Sequence, residues 1–320
     1  MNTLVVGCGR WGSFIAWYLN YIGQNVVLYG RESSEKFNTI RDTRFNGTVR
    51  FDERIELTSD LDYALKKSDY IFISVGTQKL RGFLEQLKAF EGVAEKKIIL
   101  CMKGLEQNSG LRLTEIVKDV LGTDENTAVW VGPGHVQDFL AGIPNCMVID
   151  SVNKELIGFL IENLTGKLIR FYKGSDIIGT EIGSATKNVI GIAAGMLDGE
   201  GYQSLKGALM ARAPREIAKL IEAAGGQGIS AYGLCHLGDY EATLFSQYSH
   251  NRQFGEAFVK KESVSGLCEG VYTVLGVKKL AEKYNIDMPI CKLVYDVIYD
   301  GANIYEQFDN LFLRSIKQEF

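Results

Sequence analysis

The stretch Leu4-Val5-Val6-Gly7-Cys8-Gly9-Arg10-Trp11-Gly12-Ser13 decides the fold. An apolar β-favouring run passes directly into Gly-x-Gly-x-x-Gly, and helical periodicity follows over residues 14–21. Alone, three glycines at this spacing are a weak signal, and a structural strand-to-helix turn is the competing reading. Between a strand and a helix opening near Ser13, they fit a dinucleotide phosphate turn. Gly7 makes the tight turn, Gly9 lets backbone approach a pyrophosphate, and Gly12 lets the helix pack against the strand. The helix N-terminus then presents N–H groups and a partial positive charge to the phosphates. Cys8, inside this turn, reads as a small space-filler.

The strand at 25–29 leads into Gly30-Arg31-Glu32-Ser33. NAD-selective sites carry an acidic residue at this strand tip, about 20 residues beyond the glycine turn, to accept the ribose 2′-hydroxyl. Here the tip has no carboxylate, and Arg31 can pair with a 2′-phosphate. NADP, or dual use of NADP and NAD, is therefore expected over strict NAD; a solvated loop cation is the alternative for Arg31.

Further apolar runs at 70–75, 97–102, 128–131 and 146–149 read as buried strands, with amphipathic helical stretches at 80–90 and 111–121. Such alternation implies βαβ units and a doubly wound parallel sheet. After Phe171-Tyr172 the period is helical almost throughout, for example at 181–197, 205–224, 266–284 and 290–299. We expect a Rossmann-like domain over residues 1–175 and an all-α domain over 176–320. A length of 320 residues agrees with two domains at about 150 residues each.

Composition excludes several classes. With 46% hydrophobic and 23% charged residues and only 4 prolines, the chain is an ordinary globular protein. A net charge of −4 provides no global cationic field for nucleic acid or an anionic membrane, though it permits a local basic pocket. The 6 cysteines form no Cys-x-x-Cys pair and there are only 3 histidines, so neither a metal site nor a disulfide framework is expected. The N-terminus runs straight into a strand and no apolar run reaches about 18 residues, so the expectation is a cytoplasmic protein without membrane insertion. Glycine is the outlier: 35 residues, about 11% of the chain against a usual 7% or so, with little proline. That balance points to turns and close backbone approaches in ordered structure.

Two lysines stand where solvated lysines are uncommon. Lys103 follows the strand at 97–102 directly, at the carboxyl end where open α/β sheets bind ligands. Lys187 lies on a helical stretch whose i±4 face reads Gly183, Lys187, Gly191, Gly195. Glycine weakens a helix interior by roughly 1 kcal/mol each, so this face suits close contact with a ligand or with another backbone. Hydride delivery to a ketone puts negative charge on the carbonyl oxygen, which a cationic proton donor stabilises. Asp239 is a candidate partner to limit the cost of such a lysine.

These residues resemble the NAD(P)-dependent glycerol-3-phosphate dehydrogenase family of bacterial type over nearly the whole chain. The matching motifs are Gly7–Gly12 with Trp11, Lys103-Gly104-Leu105-Glu106, Gly132-Pro133, and the run from Thr186-Lys187-Asn188 to Gly195. Gly238-Asp239, Asn251-Arg252, Phe254-Gly255, Glu269-Gly270-Val271 and Met288-Pro289-Ile290 continue the order. The resemblance implies a helical domain like the C-terminal one of 6-phosphogluconate dehydrogenase. It implies reversible reduction of dihydroxyacetone phosphate to sn-glycerol 3-phosphate for phospholipid synthesis, by a homodimer. Lys187 would be the acid/base, with Lys103 and Asp239 beside it in the catalytic set. Lys103, Gly132, Gly134, Asn188, Asp239, Thr243, Ser249, His250, Asn251 and Arg252 would meet the substrate. Gly7, Gly9, Arg10, Trp11, Gly12, Arg31, Lys103, Val136, His250, Leu267 and Glu269 would meet the cofactor.

The departures gather at the substrate positions. The family commonly has Arg immediately before Asn251, and here that residue is His250, which offers fewer donors than a guanidinium fork. The phosphate's counter-charge would then fall to Arg252 or Lys206. The family's Gly-Pro-Ser-Phe reads Gly132-Pro133-Gly134-His135, with Gln137-Asp138 where an acidic pair is usual. The usual Gly-Leu-Gly-Asp-Asn reads Gly199-Glu200-Gly201-Tyr202-Gln203. Two alternatives thus accompany the family's activity: a paralogue reducing a different small (phospho)ketone, and a nucleotide-binding protein without turnover. The presence of Lys103, Lys187, Asn188, Asp239 and Asn251 together argues against the last.

Overall fold

A computed structural model describes residues 1–263, 266, 268–316 and 318. Strands and helices alternate through the first half: β1 (Asn2–Val6), α1 (Arg10–Tyr21), β2 (Asn25–Tyr29), α2 (Glu35–Thr43), β3 (Glu56–Thr58), α3 (Leu61–Lys66), β4 (Tyr70–Ile73), α4 (Leu80–Lys88), β5 (Lys97–Leu100), α5 (Leu113–Leu121), β6 (Thr127–Val131), α6 (Val136–Leu140), β7 (Asn145–Asp150), α7 (Lys154–Leu164) and β8 (Ile169–Lys173). The described remainder is helical: α8 (Ile177–Gly199), α9 (Lys206–Ala223), α10 (His250–Lys260), α11 (Glu269–Tyr284), α12 (Pro289–Tyr299) and α13 (Ile304–Phe312). The chain divides into two compact units. One holds Met1–Lys103 with Leu111–Glu181, the other Gly104–Gly110 with Ile182–Phe320, so the division falls inside α8.

The sheet runs β3-β2-β1-β4-β5-β6-β7-β8. Every neighbouring pair is parallel except β6 and β7, where Trp130 faces Ile149 in antiparallel register. The exception to the expected parallel pattern follows from connection length. The five-residue α6 is about 7.5 Å long, half of the roughly 16 Å of a five-residue strand, so it cannot return the chain for a parallel start. Two edge strands are absent from the apolar runs picked out in the sequence. β3 has only three residues, and β8 alternates buried and exposed positions rather than forming a continuous apolar run.

Trp130 of β6 centres the sheet unit's core. Its ring meets Phe171 edge-on at 5.0 Å, Tyr18 at 6.0 Å and Phe72 at 6.2 Å between centroids. Two buried carboxylates anchor the opening of α8 within this unit. Asp150 accepts from Ser151 N, Asp176 N and Thr180 Oγ1, the last at 2.8 Å. Glu181 accepts from Thr114 N at 2.9 Å, Thr114 Oγ1 at 2.6 Å and Arg112 Nη1 at 2.5 Å. Burial pushes both carboxyls above their ordinary range, against those hydrogen bonds.

In the helical unit α8 is buried on every side, as its small and apolar composition requires. The stretch between α9 and α10 departs from the expected α-helical period. It forms 3₁₀ turns at Gly228–Tyr232 and Leu237–Asp239 and a π turn at Glu241–Phe245. Among the described residues no helix is long and apolar enough to cross a membrane, and all six cysteines are free.

Candidate active site

In the sheet unit the glycine turn joins β1 to α1, which starts at Arg10, earlier than the sequence pattern places it. A Cβ on Gly12 would overlap the carbonyl oxygen of Gly7, and one on Gly7, at φ +117, would overlap that of Ser74. Gly9 differs: its φ of −74 suits any residue, and a Cβ there would meet no atom within 4 Å. Neither strain nor the chain's own packing calls for glycine at position 9. The turn thus leaves its backbone open where a pyrophosphate would lie, which fits a dinucleotide. Gly9 is also the N-cap of α1 with no side-chain cap, and the helix's first turn has no acidic residue, leaving its end electropositive. Arg10 is exposed on that turn. Trp11 packs on Phe14 at 5.0 Å and near Trp130 and Phe139 at 6.4 Å. Burial pushes the Cys8 thiol up to about 12, so it is inert as a nucleophile.

Arg31 is exposed just beyond β2. At the carboxyl end of the central strands, Lys103 Nζ donates to the carbonyl of Gly132 at 2.6 Å. Gly132 has φ +133, and a Cβ there would lie 2.9 Å from the Met147 Cα. Gly134, at φ +139, faces the Phe139 ring, which a Cβ would approach to 2.5 Å. A side chain at 134 would therefore be strained and would have to displace that ring. His135 caps α6, and Val136 is buried in its first turn.

In the helical unit Lys187 is only 9% exposed and Asp239 1%. Lys187 Nζ lies 3.0 Å from Asp239 Oδ2 and donates to Thr243 Oγ1 at 2.8 Å. That hydroxyl in turn donates to the Asp239 carbonyl at 2.7 Å, so the 3₁₀ and π turns present the acid and the hydroxyl together. Asn251 of α10 donates to Asn188 Oδ1 at 3.0 Å and accepts from Gly270 N at 2.9 Å and from Cys268 Sγ at 3.2 Å, tying α8, α10 and α11 together. Ser249 is the N-cap of α10, its Oγ accepting from Arg252 N at 3.3 Å. His250 opens α10 and Glu269 opens α11, both half-buried. Leu267 lies outside the described residues.

The glycine face of α8 meets protein. A Cβ on Gly195 would overlap the Arg252 carbonyl oxygen, and one on Gly255 of α10 would overlap that of Ile192, so the two helices touch backbone to backbone. A Cβ on Gly191 would come within 2.7 Å of Thr243 Cγ2. Of the two uses that the sequence leaves open for this face, helix packing is the one realised.

Lys206 and Arg252, the two cations expected to replace the missing arginine, converge on one carboxylate. Asp198 binds Lys206 Nζ at 2.6 Å and Arg252 Nη1 at 2.5 Å. Lys206 also donates to the Leu244 carbonyl at 3.1 Å and Arg252 Nε to that of Ser246 at 3.3 Å, which fixes the segment between Thr243 and Ser249. No local pattern identifies Asp198 for this role. His236 is a second polar centre that the sequence does not single out. Fully buried, it bonds the Gly183 carbonyl through Nδ1 at 2.8 Å and Tyr240 Oη through Nε2 at 2.7 Å. Burial lowers it to about 4, so it is neutral, donating from Nδ1 and accepting at Nε2.

A family model described as the N-terminus of NAD-dependent glycerol-3-phosphate dehydrogenase matches residues 2–157, and one described as its C-terminus matches residues 176–309. The chain belongs to the NAD-dependent glycerol-3-phosphate dehydrogenase family. Similar members include the NAD(P)+ glycerol-3-phosphate dehydrogenase of Syntrophomonas wolfei, 34% identical over 98% of this chain and 95% of that one. The corresponding protein of Thermotoga sp. strain RQ2 is 34% identical over 100% and 99%. A crystal structure of glycerol-3-phosphate dehydrogenase from Coxiella burnetii superposes with a TM-score of 0.89 at 29% identity, covering 98% of each chain.

Proposed function

We propose that the protein reversibly reduces dihydroxyacetone phosphate to sn-glycerol 3-phosphate with NADPH or NADH. The Lys187–Asp239–Thr243 cluster carries this reading. When bound, the nicotinamide supplies or accepts the hydride. Lys187 holds the proton that the substrate's carbonyl oxygen takes in reduction and that its hydroxyl returns in oxidation. Asp239 pairs with that ammonium at 3.0 Å, and Thr243 fixes its direction. The N-terminus of α10, with Ser249, His250 and Asn251 and no acidic residue in its first turn, suits the substrate phosphate. Lys103 and the Gly7–Gly12 turn serve the cofactor. Six free cysteines support a reduced cytoplasmic setting, and a homodimer is the assembly expected by sedimentation.

A second reading, reduction of a different small phosphoketone, is favoured by one observation. Both cations next to the α10 segment are engaged by Asp198, and position 134 carries no hydroxyl. Assaying NADPH and NADH oxidation against dihydroxyacetone phosphate and a ketone panel tests both. Lys187→Ala should lower kcat by about 10²–10⁴-fold while NADPH binding stays unchanged. Cofactor binding without oxidation of dihydroxyacetone phosphate rejects the first reading. Activity on another ketone would then establish the second, and silence across the panel would leave a nucleotide-binding protein.

A further inference from the structure

The helical unit contains a cavity of about 470 Å³ that the cluster around Lys187 does not use. Its walls come from Leu197 of α8, Leu209 of α9, Leu293 of α12, and Phe308 and Phe312 of α13. The volume falls in the range of small-molecule sites. Most of its lining surface is apolar, so a compact sugar phosphate would lose water along those walls without replacement hydrogen bonds.

Charge on the rim is lopsided. Arg212, Arg215 and Lys219 follow one another at helical spacing on α9, one face of one helix, and all three line the cavity. The two acids in the lining are engaged by protein groups. Glu216 accepts from Ile290 N and Cys291 N, both at 2.9 Å, and Asp287 pairs with Arg314. Among the described residues no carboxylate lies within 4.0 Å of the Arg212 or Lys219 head groups.

An apolar chamber with cations along one edge selects a molecule that is apolar along its length and anionic at one end. We propose that this cavity binds an amphipathic anion, with an unbranched alkyl chain among Leu197, Leu209, Leu293 and Phe308 and a carboxylate or phosphate monoester head against Arg212 and Lys219. The site is separate from the substrate-binding cluster, so its test needs no turnover.

Calorimetry on the whole protein tests it, with decanoate and decyl phosphate below their micellar concentrations as probes. At least one should bind saturably, and the tighter of the two identifies the preferred head. Decanol, which has the chain without the charge, should bind at least tenfold more weakly, and inorganic phosphate should not register. Shortening decanoate to octanoate should weaken binding about tenfold, as the loss of two buried methylenes requires. Ala208 is exposed in the cavity wall, so Ala208→Trp should fill the mouth without unfolding the helix. The double variant Arg212→Glu/Lys219→Glu should remove the head's counter-charge. Each should reduce affinity tenfold or more, with circular dichroism and turnover unchanged. The proposal is overturned if neither decyl probe binds, if decanol matches decanoate, or if both variants bind as the parent does. It also falls if Ala208→Trp dissociates an oligomer while decanoate leaves the parent untouched, because the cavity would then be an interface between copies of the chain.

Discussion

The glycine turn of the sheet unit and the glycine face of α8 use the same residue for opposite purposes. Around Gly7–Gly12 two glycines let the chain pack on itself, and Gly9 leaves open a space that protein does not fill. Along α8, Gly191 and Gly195 are closed against Thr243 and α10, and the one long side chain among them is Lys187, which we propose holds the reacting proton. The first region is a contiguous hexapeptide. The second joins Lys187 to a hydroxyl 56 residues away. A glycine pattern therefore marks close approach, and its surroundings decide whether the approaching body is ligand or backbone.

Single substitutions can break this contrast. Gly195→Ala puts a methyl group into the Arg252 carbonyl and should cost more than about 3 kcal/mol, the upper part of the overpacking range. Gly9→Ala should change stability by less than about 0.5 kcal/mol while weakening NADPH binding. Urea midpoints and cofactor titrations on the two variants read both effects. A Gly9→Ala protein with normal cofactor affinity would remove the ligand from the explanation of that glycine.

The helical unit should also respond to pH through two buried groups of opposite sign. His236 falls from 6.5 to about 4, so between those values the unfolded chain binds a proton that the native state refuses. Stability contributed by neutral His236 is lost as pH drops through that window, by about 3 kcal/mol at 1.36 kcal/mol per unit. Glu216 rises from 4.5 to about 7, so the native state keeps a proton that the unfolded chain releases, and stability is lost as pH rises through that window. The two slopes oppose each other between about 4.5 and 6.5, making the parent profile shallow there. Glu216→Gln should expose the acid-side loss and His236→Asn should abolish it, in denaturation midpoints taken across pH. An acid-side slope in His236→Asn equal to that of Glu216→Gln would reject the assignment.

Gly134→Ser, which restores the family residue, should destabilise by about 2 kcal/mol because φ +139 and the Phe139 ring both disfavour a side chain. It should not lower KM for dihydroxyacetone phosphate, and a lower KM at unchanged stability would show that the position is open after all. The smallest effect expected is at Arg31. Arg31→Ala should reduce the preference for NADPH over NADH by about tenfold, the worth of one exposed charge-assisted contact. Equal cofactor ratios in the two proteins would release Arg31 from that role.

Much of this was legible before any tertiary contact. Strand, glycine turn and helix succeed one another within Leu4–Ser13, so local backbone rules suffice to read them. Lys187 was visible because a lysine among glycines on one helical face conflicts with both helix propensity and solvation. Harder to read were β8, an edge strand with one buried face, and the antiparallel β6–β7 pair, which depends on the length of α6. Asp198 and His236 were not legible, because each acts on groups far along the chain and neither has a distinctive neighbourhood.

By itself, the sequence determined the order of the units, the strand–glycine turn–helix succession and the family, since these depend on contiguous motifs and their spacing. Only the tertiary structure decided that the α8 glycines face α10 and not ligand, that Asp198 engages both Lys206 and Arg252, and that a side chain at 134 would meet the Phe139 ring. Each depends on which backbone lies within a few ångströms, a distance that hydrophobic periodicity does not encode.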